Sequence, residues 1–451
     1  MKNKYLKNAK FSDAKFRDIL RLFCIDLEAK QISLITKLNR ETSTALLTFS
    51  SAATYIGAGC TVFVVSEIAR GSLFTGLGLA IGVPLSFILF GLIAPKIRSF
   101  GRTFNAVTIS DFFEKRFGVA NRRLMSILQL VFIALTIGMQ VVAVSWLISF
   151  VLGSSYLLSE VILFIFSMGY SAIGGIKADI LTDTIQFWIM TALFVVLSVF
   201  IYISPDFMTN ITTAVESISN PLNNDTIGVF LLLLSVMAVG LIAYPTNWQL
   251  ALSAKNEKSI QRSCWWAAGI TFVIQMFVIF FGLYAFSTLS GIENYDLSLF
   301  NLIQNTMPKW MAGFGLSAIL AISMSSLDSM FVAGSAIISG EFIKRRTSKK
   351  VWETRGITLL FGGLSFLLAL LFPSIATLGY FSITWGLIPV AITLIGMYGI
   401  RLSSTAAFCS LLMPMVATLI IYPILGFQSV WIIPLLSLVI ILGYDRVIKK
   451  S

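Results

Sequence analysis

Long apolar runs alternate with short polar segments along almost the whole chain. A helix of about 20 apolar residues crosses the hydrocarbon core of a bilayer. By this measure the pattern predicts twelve spans, near residues 44–69, 72–95, 123–152, 156–174, 180–203, 226–250, 264–288, 309–338, 356–375, 377–399, 404–424 and 428–445. Of the 451 residues, 57% are hydrophobic and 12% are charged. The chain is therefore predicted to be an all-α polytopic membrane protein.

Basic residues are predicted to lie almost entirely on one side of the membrane. With the N-terminus in the cytoplasm, only Arg70 and Lys309 of the 33 Lys and Arg residues fall outside, and the other 31 fall inside. The external loop 204–225 carries carboxylates and no base. The positive-inside rule then puts both termini in the cytoplasm of a cell whose inner (plasma) membrane holds the protein. The net charge of +12 marks this face and does not indicate nucleic-acid binding.

Two of the predicted spans contain helix-interrupting residues. The first span has small polar residues near its middle, followed by glycines: Thr48, Ser50, Ser51, Thr54, Gly57 and Gly59. The sixth span contains Pro245, which removes a backbone donor and kinks a helix. Irregular backbone at membrane depth occurs where it lines a cavity, and secondary transporters bind ions and solutes at such breaks. Because the two spans are five apart, they run in opposite directions, as a five-plus-five inverted repeat requires.

The eighth span carries an unusual set of oxygen-bearing side chains. Ser325 and Ser329 share one helical stripe with Ile322, and Ser326 and Asp328 flank it. Hydroxyl, carboxylate and carbonyl oxygens suit a hard, weakly held cation such as Na⁺. The alternative is that the serines bond carbonyls of their own helix and that Asp328 lies at its cytoplasmic end.

Asp183, near the start of the fifth span, is a second intramembrane carboxylate. It has either a functional role or a structural one, as a negative charge at a helix N-terminus.

The sequence lacks the usual groups of an intramembrane enzyme. It has no histidine, and its four cysteines are scattered without metal-ligand spacing. No nucleotide-binding or zinc-protease motif occurs. Catalysis is not expected.

Four motifs, in order along the chain, resemble the sodium:solute symporter family. They are Ser51…Thr54-Tyr55-Ile56-Gly57, Gly174-Gly175…Thr182-Asp183…Gln186, Gln249…Ser253-Ala254-Lys255-Asn256 and Met324-Ser325-Ser326-Leu327-Asp328-Ser329. The resemblance covers residues 42–445. It implies a LeuT-type 5+5 inverted repeat with about 12 transmembrane helices, and a Na⁺-coupled symporter that works as a monomer in the bilayer.

The resemblance also implies two sets of ion ligands. The main sodium site of the family falls here on the carbonyls of Leu47, Ser50 and Ile322 and on the hydroxyls of Ser325 and Ser326. A second sodium, found in part of the family, would use Asp183, Ser325, Asp328 and Ser329.

The solute cavity is expected beside the break in the first span. Its expected residues come from the first, third, sixth and tenth spans: Ser51, Thr54, Gln140, Asn247, Phe381 and Thr384. Sialic-acid transporters of the family place an arginine in the third helix, where this chain has Gln140 without a cation. A small polar solute, either sugar-like or a small organic acid, is therefore expected. For Phe381, an alternative position is at the lipid interface.

The remaining parts of the chain give further expectations. Residues 1–42 contain no apolar span, resemble a transposase helix-turn-helix start and are expected to form a cytoplasmic segment, with a fusion as one origin. The transporter domain is expected to cover 43–451. The aromatic side of Thr108–Phe117 predicts a helix lying in the membrane interface.

A solute-binding membrane sensor without net transport is the alternative function. Counterflow of labelled solute would separate a transporter from a sensor.

Overall fold

The computed structural model describes residues 44–171, 176–217, 226–289, 292–342, 348–400 and 402–426, with isolated positions between 432 and 441. These residues form helices joined by turns, and no strand occurs among them. Their bounds are α1 Thr44–Tyr55, α2 Ala58–Ala69, α3 Leu73–Phe104, α4 Ile109–Phe117, α5 Val119–Leu152, α6 Tyr156–Ser171, α7 Ile176–Tyr202, α8 Phe207–Ser217, α9 Ile227–Gly240, α10 Pro245–Ser253, α11 Glu257–Thr288, α12 Ser298–Thr306, α13 Lys309–Phe342, α14 Ser348–Leu371, α15 Ile375–Leu387, α16 Val390–Met397 and α17 Ser404–Leu425.

The helices follow the predicted spans closely. Within the described ranges, seven helices are long and apolar enough to cross a membrane, or nine if each bent pair counts as one span. The total of twelve stays a prediction, because most of the last predicted span and all of segment 1–42 lie outside the described residues.

Both expected breaks are present. The first span bends by 44° between α1 and α2, and the sixth bends by 49° between the 3₁₀ turn Leu241–Ala243 and α10. Pro245 is the first residue of α10, a position where its missing N–H costs no helical hydrogen bond. The sequence therefore located both interruptions correctly.

The two breaks face each other. Tyr55, the last residue of α1, and Tyr244, which precedes α10, have ring centroids 5.0 Å apart. Phe87 of α3 packs edge-on against Tyr55, and Phe132 of α5 packs edge-on against Tyr244. The broken spans thus meet through aromatic rings at the points where each helix stops.

Helix α5 lies at the centre of the bundle and is unbroken. It packs against α4, α6, α13, α14, α15 and α17. Its partner α13 carries the serine cluster and also packs against α1 and α7. These contacts bring the first, fifth and eighth spans together around one place.

The aromatic face of helix α4 packs against protein. Its aromatic side chains Phe112, Phe113 and Phe117 are buried against protein, and the Phe112 ring lies 5.4 Å from that of Trp248 in α10. The interfacial position of the helix stays a prediction, while its apolar face packs on protein and not on lipid at these three side chains. An amphipathic pattern shows that one face is apolar, and lipid and protein cover such a face equally well.

Candidate functional site

One buried carboxylate connects three helices. Asp183 of α7 accepts a hydrogen bond of 2.9 Å from the Ser50 hydroxyl of α1. Its other oxygen accepts one from the Ser325 hydroxyl of α13. All three side chains are almost completely buried, and Asp183 is 0% exposed. The structure thus joins a residue from each of the first, fifth and eighth spans into one cluster of oxygen atoms.

This cluster has the chemistry of a site for a small hard cation. A carboxylate removed from water is destabilised by several kcal/mol unless charge or hydrogen bonds compensate. Two charge-assisted hydrogen bonds offset part of this cost for Asp183. The hydroxyl oxygens of Ser50 and Ser325 keep lone pairs that can bind a cation. Within the described residues, no group of three or more His, Cys, Asp or Glu gathers into a site for a multivalent metal.

Ser326 lies next to this cluster, at the break in the first span. Its hydroxyl is 3.4 Å from the carbonyl oxygen of Thr54, in the last turn of α1. A Cβ added at Gly57 would overlap the Ser326 hydroxyl and would lie 3.1 Å from Nε2 of Gln140. Glycine at 57 therefore lets α13 and α5 approach the break from two sides.

The other expected ion ligands lie in α1 and α13, and the structure describes the side chains of some of them. Leu47 lies in α1 and is buried, and the carbonyl of Ser50 accepts a hydrogen bond of 2.9 Å from the Thr54 hydroxyl. Ile322 and Asp328 lie in α13, but their side chains are outside the described part of the structure. Ser329 is buried one turn beyond Ser325. The clearest result is that Asp183, expected in a second site, is bonded to Ser50 of the expected main site.

The expected solute residues near the breaks are buried. Ser51 and Thr54 are 5% and 4% exposed. Gln140 is buried too, and its Oε1 accepts a hydrogen bond of 2.7 Å from the backbone N–H of Gly59. Asn247 is 2% exposed, and neither polar atom of its amide has a hydrogen-bond partner among the described residues. A buried amide of this kind is costly and is suited to a ligand or a water molecule.

The expected solute residues of the tenth span contact their own helix and α17. Phe381 stacks on Tyr422 of α17 at 4.6 Å, and its ring also contacts Trp385. The Thr384 hydroxyl bonds the carbonyl of Tyr380 in its own helix. Trp385 donates a hydrogen bond of 2.9 Å to the carbonyl of Leu128 in α5. These contacts give α15 a packing role and do not join Phe381 to the first-span break.

Sequence reasoning missed three features of the site. It did not find the hydrogen bond from Ser50 to Asp183, because a contact between distant helices leaves no local spacing. It also missed Thr246, whose buried hydroxyl has no partner in the described part of the chain, and Gln129 on α5. The position of Thr246 directly after Pro245 was a usable signal.

Comparisons with known proteins assign the family. The model of the sodium:solute symporter family matches residues 39–413. The chain is 26% identical over 321 residues to a sodium/proline symporter of Haemophilus influenzae, covering 65% of this chain and 62% of the relative. It is 24% identical over 312 residues to a sodium/pantothenate symporter of the same organism, covering 66% and 63%. It thus matches somewhat under two thirds of the length of these two relatives.

Solved structures show the same fold. A Na⁺-coupled sialic acid symporter, in a substrate-bound outward-open state, superposes with a TM-score of 0.69 at 16% identity over 94% of this chain and 96% of the other. A nucleobase-cation-symport-1 family transporter in a closed conformation gives 0.55 at 14% identity over 91% and 94%. The fold is the LeuT-type inverted repeat of a polytopic membrane protein. The chain belongs to the sodium:solute symporter family.

Proposed function

We propose that this protein is a Na⁺-coupled symporter that imports a small polar organic solute by alternating access. The observation that carries the proposal is the buried Ser50–Asp183–Ser325 cluster, where α1, α7 and α13 meet beside a broken span. The family match and the names of the relatives agree with sodium as the coupling ion.

Sodium would bind where the two serine hydroxyls and the carboxylate of Asp183 converge. The hydroxyls now point their hydrogens at Asp183. They would rotate so that their oxygens face the ion, while the carboxylate balances its charge. The carbonyls of Leu47 and Ile322, with Ser326, are further proposed ligands. Asp328 and Ser329 stay proposed for a second ion that would share Asp183 and Ser325.

Binding of the ion would fix the inner half of the first span. Ser50 lies on α1, and its partners lie on the long helices α7 and α13. An ion held between them favours the arrangement in which α1 packs against both. Solute binding to the same arrangement would then be coupled to sodium through one conformational equilibrium.

The solute is proposed to bind between the two breaks. Ser51, Thr54 and Gln140 lie at the first break, and Asn247 with Thr246 lies just after the second. These side chains are neutral donors and acceptors, and those of Asn247 and Thr246 have no partner in the described structure. Such groups suit a sugar-like solute or a small organic acid. Phe381 and Thr384 would act at the edge of this cavity.

Proteoliposomes offer the direct test of the proposal. The purified protein would be screened with sugars, amino acids and carboxylates for thermal stabilisation in Na⁺ and in K⁺ buffer. The best solute would then be used for uptake driven by an inward Na⁺ gradient. Uptake that needs the gradient supports symport. Solute binding without uptake or counterflow would identify a sensor and overturn the proposal.

The oligomeric state, the membrane and the orientation of the protein are also proposals. The protein would act as a monomer in the inner membrane, with both termini in the cytoplasm because the basic loops lie there. Residues 1–42 would form a cytoplasmic segment ahead of the transporter domain.

A further inference from the structure

Two buried glutamines on α5 make hydrogen bonds to backbone groups at the two helix breaks. Gln140 accepts a hydrogen bond of 2.7 Å from the N–H of Gly59, where the outer half of the first span begins. Gln129 donates one of 3.1 Å to the carbonyl of Ala243, where the outer half of the sixth span ends. Each is 2% exposed or less.

Their spacing puts both on the same side of one continuous helix. Eleven residues of α-helix make about three turns, so the two side chains leave α5 within about 20° of each other and about 16 Å apart. The primary amide explains why one residue type serves both breaks. Its oxygen accepts from an unpaired helix N-terminus, and its nitrogen donates to an unpaired helix C-terminus.

The first break lacks a cap of its own. The residue before α2 is Gly57, which has no side chain to accept from the first turn. Gln140 supplies that acceptor from α5. The Thr61 hydroxyl of α2 also donates a hydrogen bond of 2.8 Å back to the carbonyl of Ile56. The outer half is therefore held to α5 and to the end of the inner half at once.

The second break leaves carbonyl groups without helical donors, whereas the first leaves N–H groups without acceptors. The 3₁₀ turn ends at Ala243, and Pro245 has no N–H to donate. Gln129 satisfies the carbonyl of Ala243, and the indole N–H of Trp248 satisfies that of Ile242 at 2.8 Å. Here too a side chain from α5 replaces a bond that the broken helix cannot make.

We propose that Gln129 and Gln140 are positioning residues that fasten the two broken spans to α5, so that one unbroken helix sets the bend of both. The ion test below rests on the proposed sodium site. The second test does not. Gln140 still lies beside the proposed solute cavity. Its carbonyl oxygen, however, binds the backbone at the break and not the solute.

The first test measures sodium binding without solute. Thermal unfolding is followed while NaCl replaces KCl, and the midpoint of stabilisation is recorded for the wild type, Gln140→Leu and Gln140→Glu. Leucine removes the acceptor, and fewer molecules keep the binding geometry. The midpoint should rise about threefold to tenfold, as expected for one hydrogen bond. Glutamate keeps an acceptor oxygen and adds a negative charge that favours the cation, so its midpoint should stay below that of Gln140→Leu.

The matched control is Thr418→Val in α17, because that buried hydroxyl bonds the carbonyl of Pro414 in its own helix and α17 packs against α5 and α15. It should leave the sodium midpoint unchanged. An unchanged midpoint in Gln140→Leu overturns the role of Gln140. If Gln140→Leu does not fold, Gln140→Asn is used, because its shorter amide does not reach Gly59. A wild type without Na⁺ stabilisation counts against the sodium site itself; the unfolding temperature in KCl then replaces the midpoint for Gln140, where no loss in Gln140→Leu overturns its role, and the second test decides on Gln129.

The second test measures the sixth-span break by cysteine labelling in detergent. Thr246→Cys is placed in a protein whose four native cysteines, Cys24, Cys60, Cys264 and Cys409, are replaced by alanine. Thr246 is buried just after the break. Adding Gln129→Leu should speed its reaction with a maleimide at least about threefold, since the freed break opens more often. Equal rates would overturn the role of Gln129. Thr418→Val is again the control.

Discussion

The Ser50 hydroxyl donates a hydrogen bond of 2.9 Å to the carboxylate of Asp183, which lies 133 residues further along the chain. Ser325 donates to the other oxygen of the same carboxylate. Residues expected in two separate ion sites therefore share one acceptor. An ion at either position would feel the charge of Asp183, so the two sites cannot be independent if both exist.

Removing the charge of Asp183 should weaken sodium binding. In Asp183→Asn the shape is kept, but the ion loses its only described counter-charge in the cluster. The Na⁺ concentration for half-maximal uptake should rise at least about tenfold, as expected for a charge-assisted contact. The charge moved per solute would also fall if a second ion uses this residue. Asp206→Asn, at an exposed position between α7 and α8, is the matched control. Unaltered sodium dependence would make Asp183 a structural residue.

Alanine at Ser325 or Ser326 should raise the sodium requirement more than it changes expression. Each substitution removes one hydroxyl ligand, and a rise of about threefold to thirtyfold corresponds to a loss of about 0.7–2 kcal/mol, between a neutral hydrogen bond and one to a charged group. Uptake as a function of Na⁺ concentration measures it. Ser317→Ala on the exposed side of α13 is the control, since that hydroxyl bonds the carbonyl of Gly313 in its own helix. If the double variant keeps wild-type dependence, the site is elsewhere.

A methyl group at Gly57 should disrupt the first break. The added Cβ would overlap the Ser326 hydroxyl and crowd Gln140, and overpacking of this kind costs about 1–3 kcal/mol. Thermal unfolding without Na⁺ measures the loss. Gly313→Ala is the control, because nothing lies within 4 Å of its added Cβ and alanine favours the helix. Adding Ser326→Ala should relieve part of the strain. Full wild-type stability of Gly57→Ala would contradict the close approach.

Leucine at Asn247 should stabilise the protein while it abolishes uptake. The buried amide has no described partner, so replacing it with an apolar group of similar size removes a cost of about 1–3 kcal/mol. Asn121→Leu is the contrasting control, because the Asn121 amide bonds the carbonyls of Phe117 and Ser404, and its loss should destabilise. Unfolding temperature and uptake are measured together. A destabilised but active Asn247→Leu variant would exclude the solute role.

Deleting residues 2–40 should leave the orientation of the spans unchanged. The inner loops 96–123 and 344–355 still carry thirteen Lys and Arg residues, which suffice for the positive-inside bias. A reporter fused after Ser451 should stay cytoplasmic, and any uptake should survive. A reporter found outside would show that the segment sets the topology. Correct orientation without uptake would instead give the segment a working role.

The sequence predicted the features that depend on local patterns. Apolar length located the spans, and small polar residues with Gly57 and Pro245 located both breaks, because helix continuity is a local property. The serine cluster of α13 and the carboxylate of Asp183 were also visible, since polar groups in apolar spans are rare.

Rotation and facing of the helices could not be predicted. The bond from Ser50 to Asp183 depends on how α1 and α7 turn about their axes, which one chain does not encode locally. For the same reason, Gln140 was expected to contact the solute, and its hydrogen bond to the break was missed. Its side-chain oxygen accepts from the backbone N–H of Gly59. The buried face of α4 is a third case, because Phe112 packs against Trp248 instead of lipid.

The contact between Tyr55 and Tyr244 has a consequence for leakage. One ring belongs to each half of the inverted repeat, and the two lie 5.0 Å apart between Phe87 and Phe132. A dry aromatic constriction is a barrier to hydrated ions. Since each repeat supplies one of the two rings, moving one broken span by itself would leave the other ring in the way. We expect the membrane to stay sealed unless both spans move in the same step.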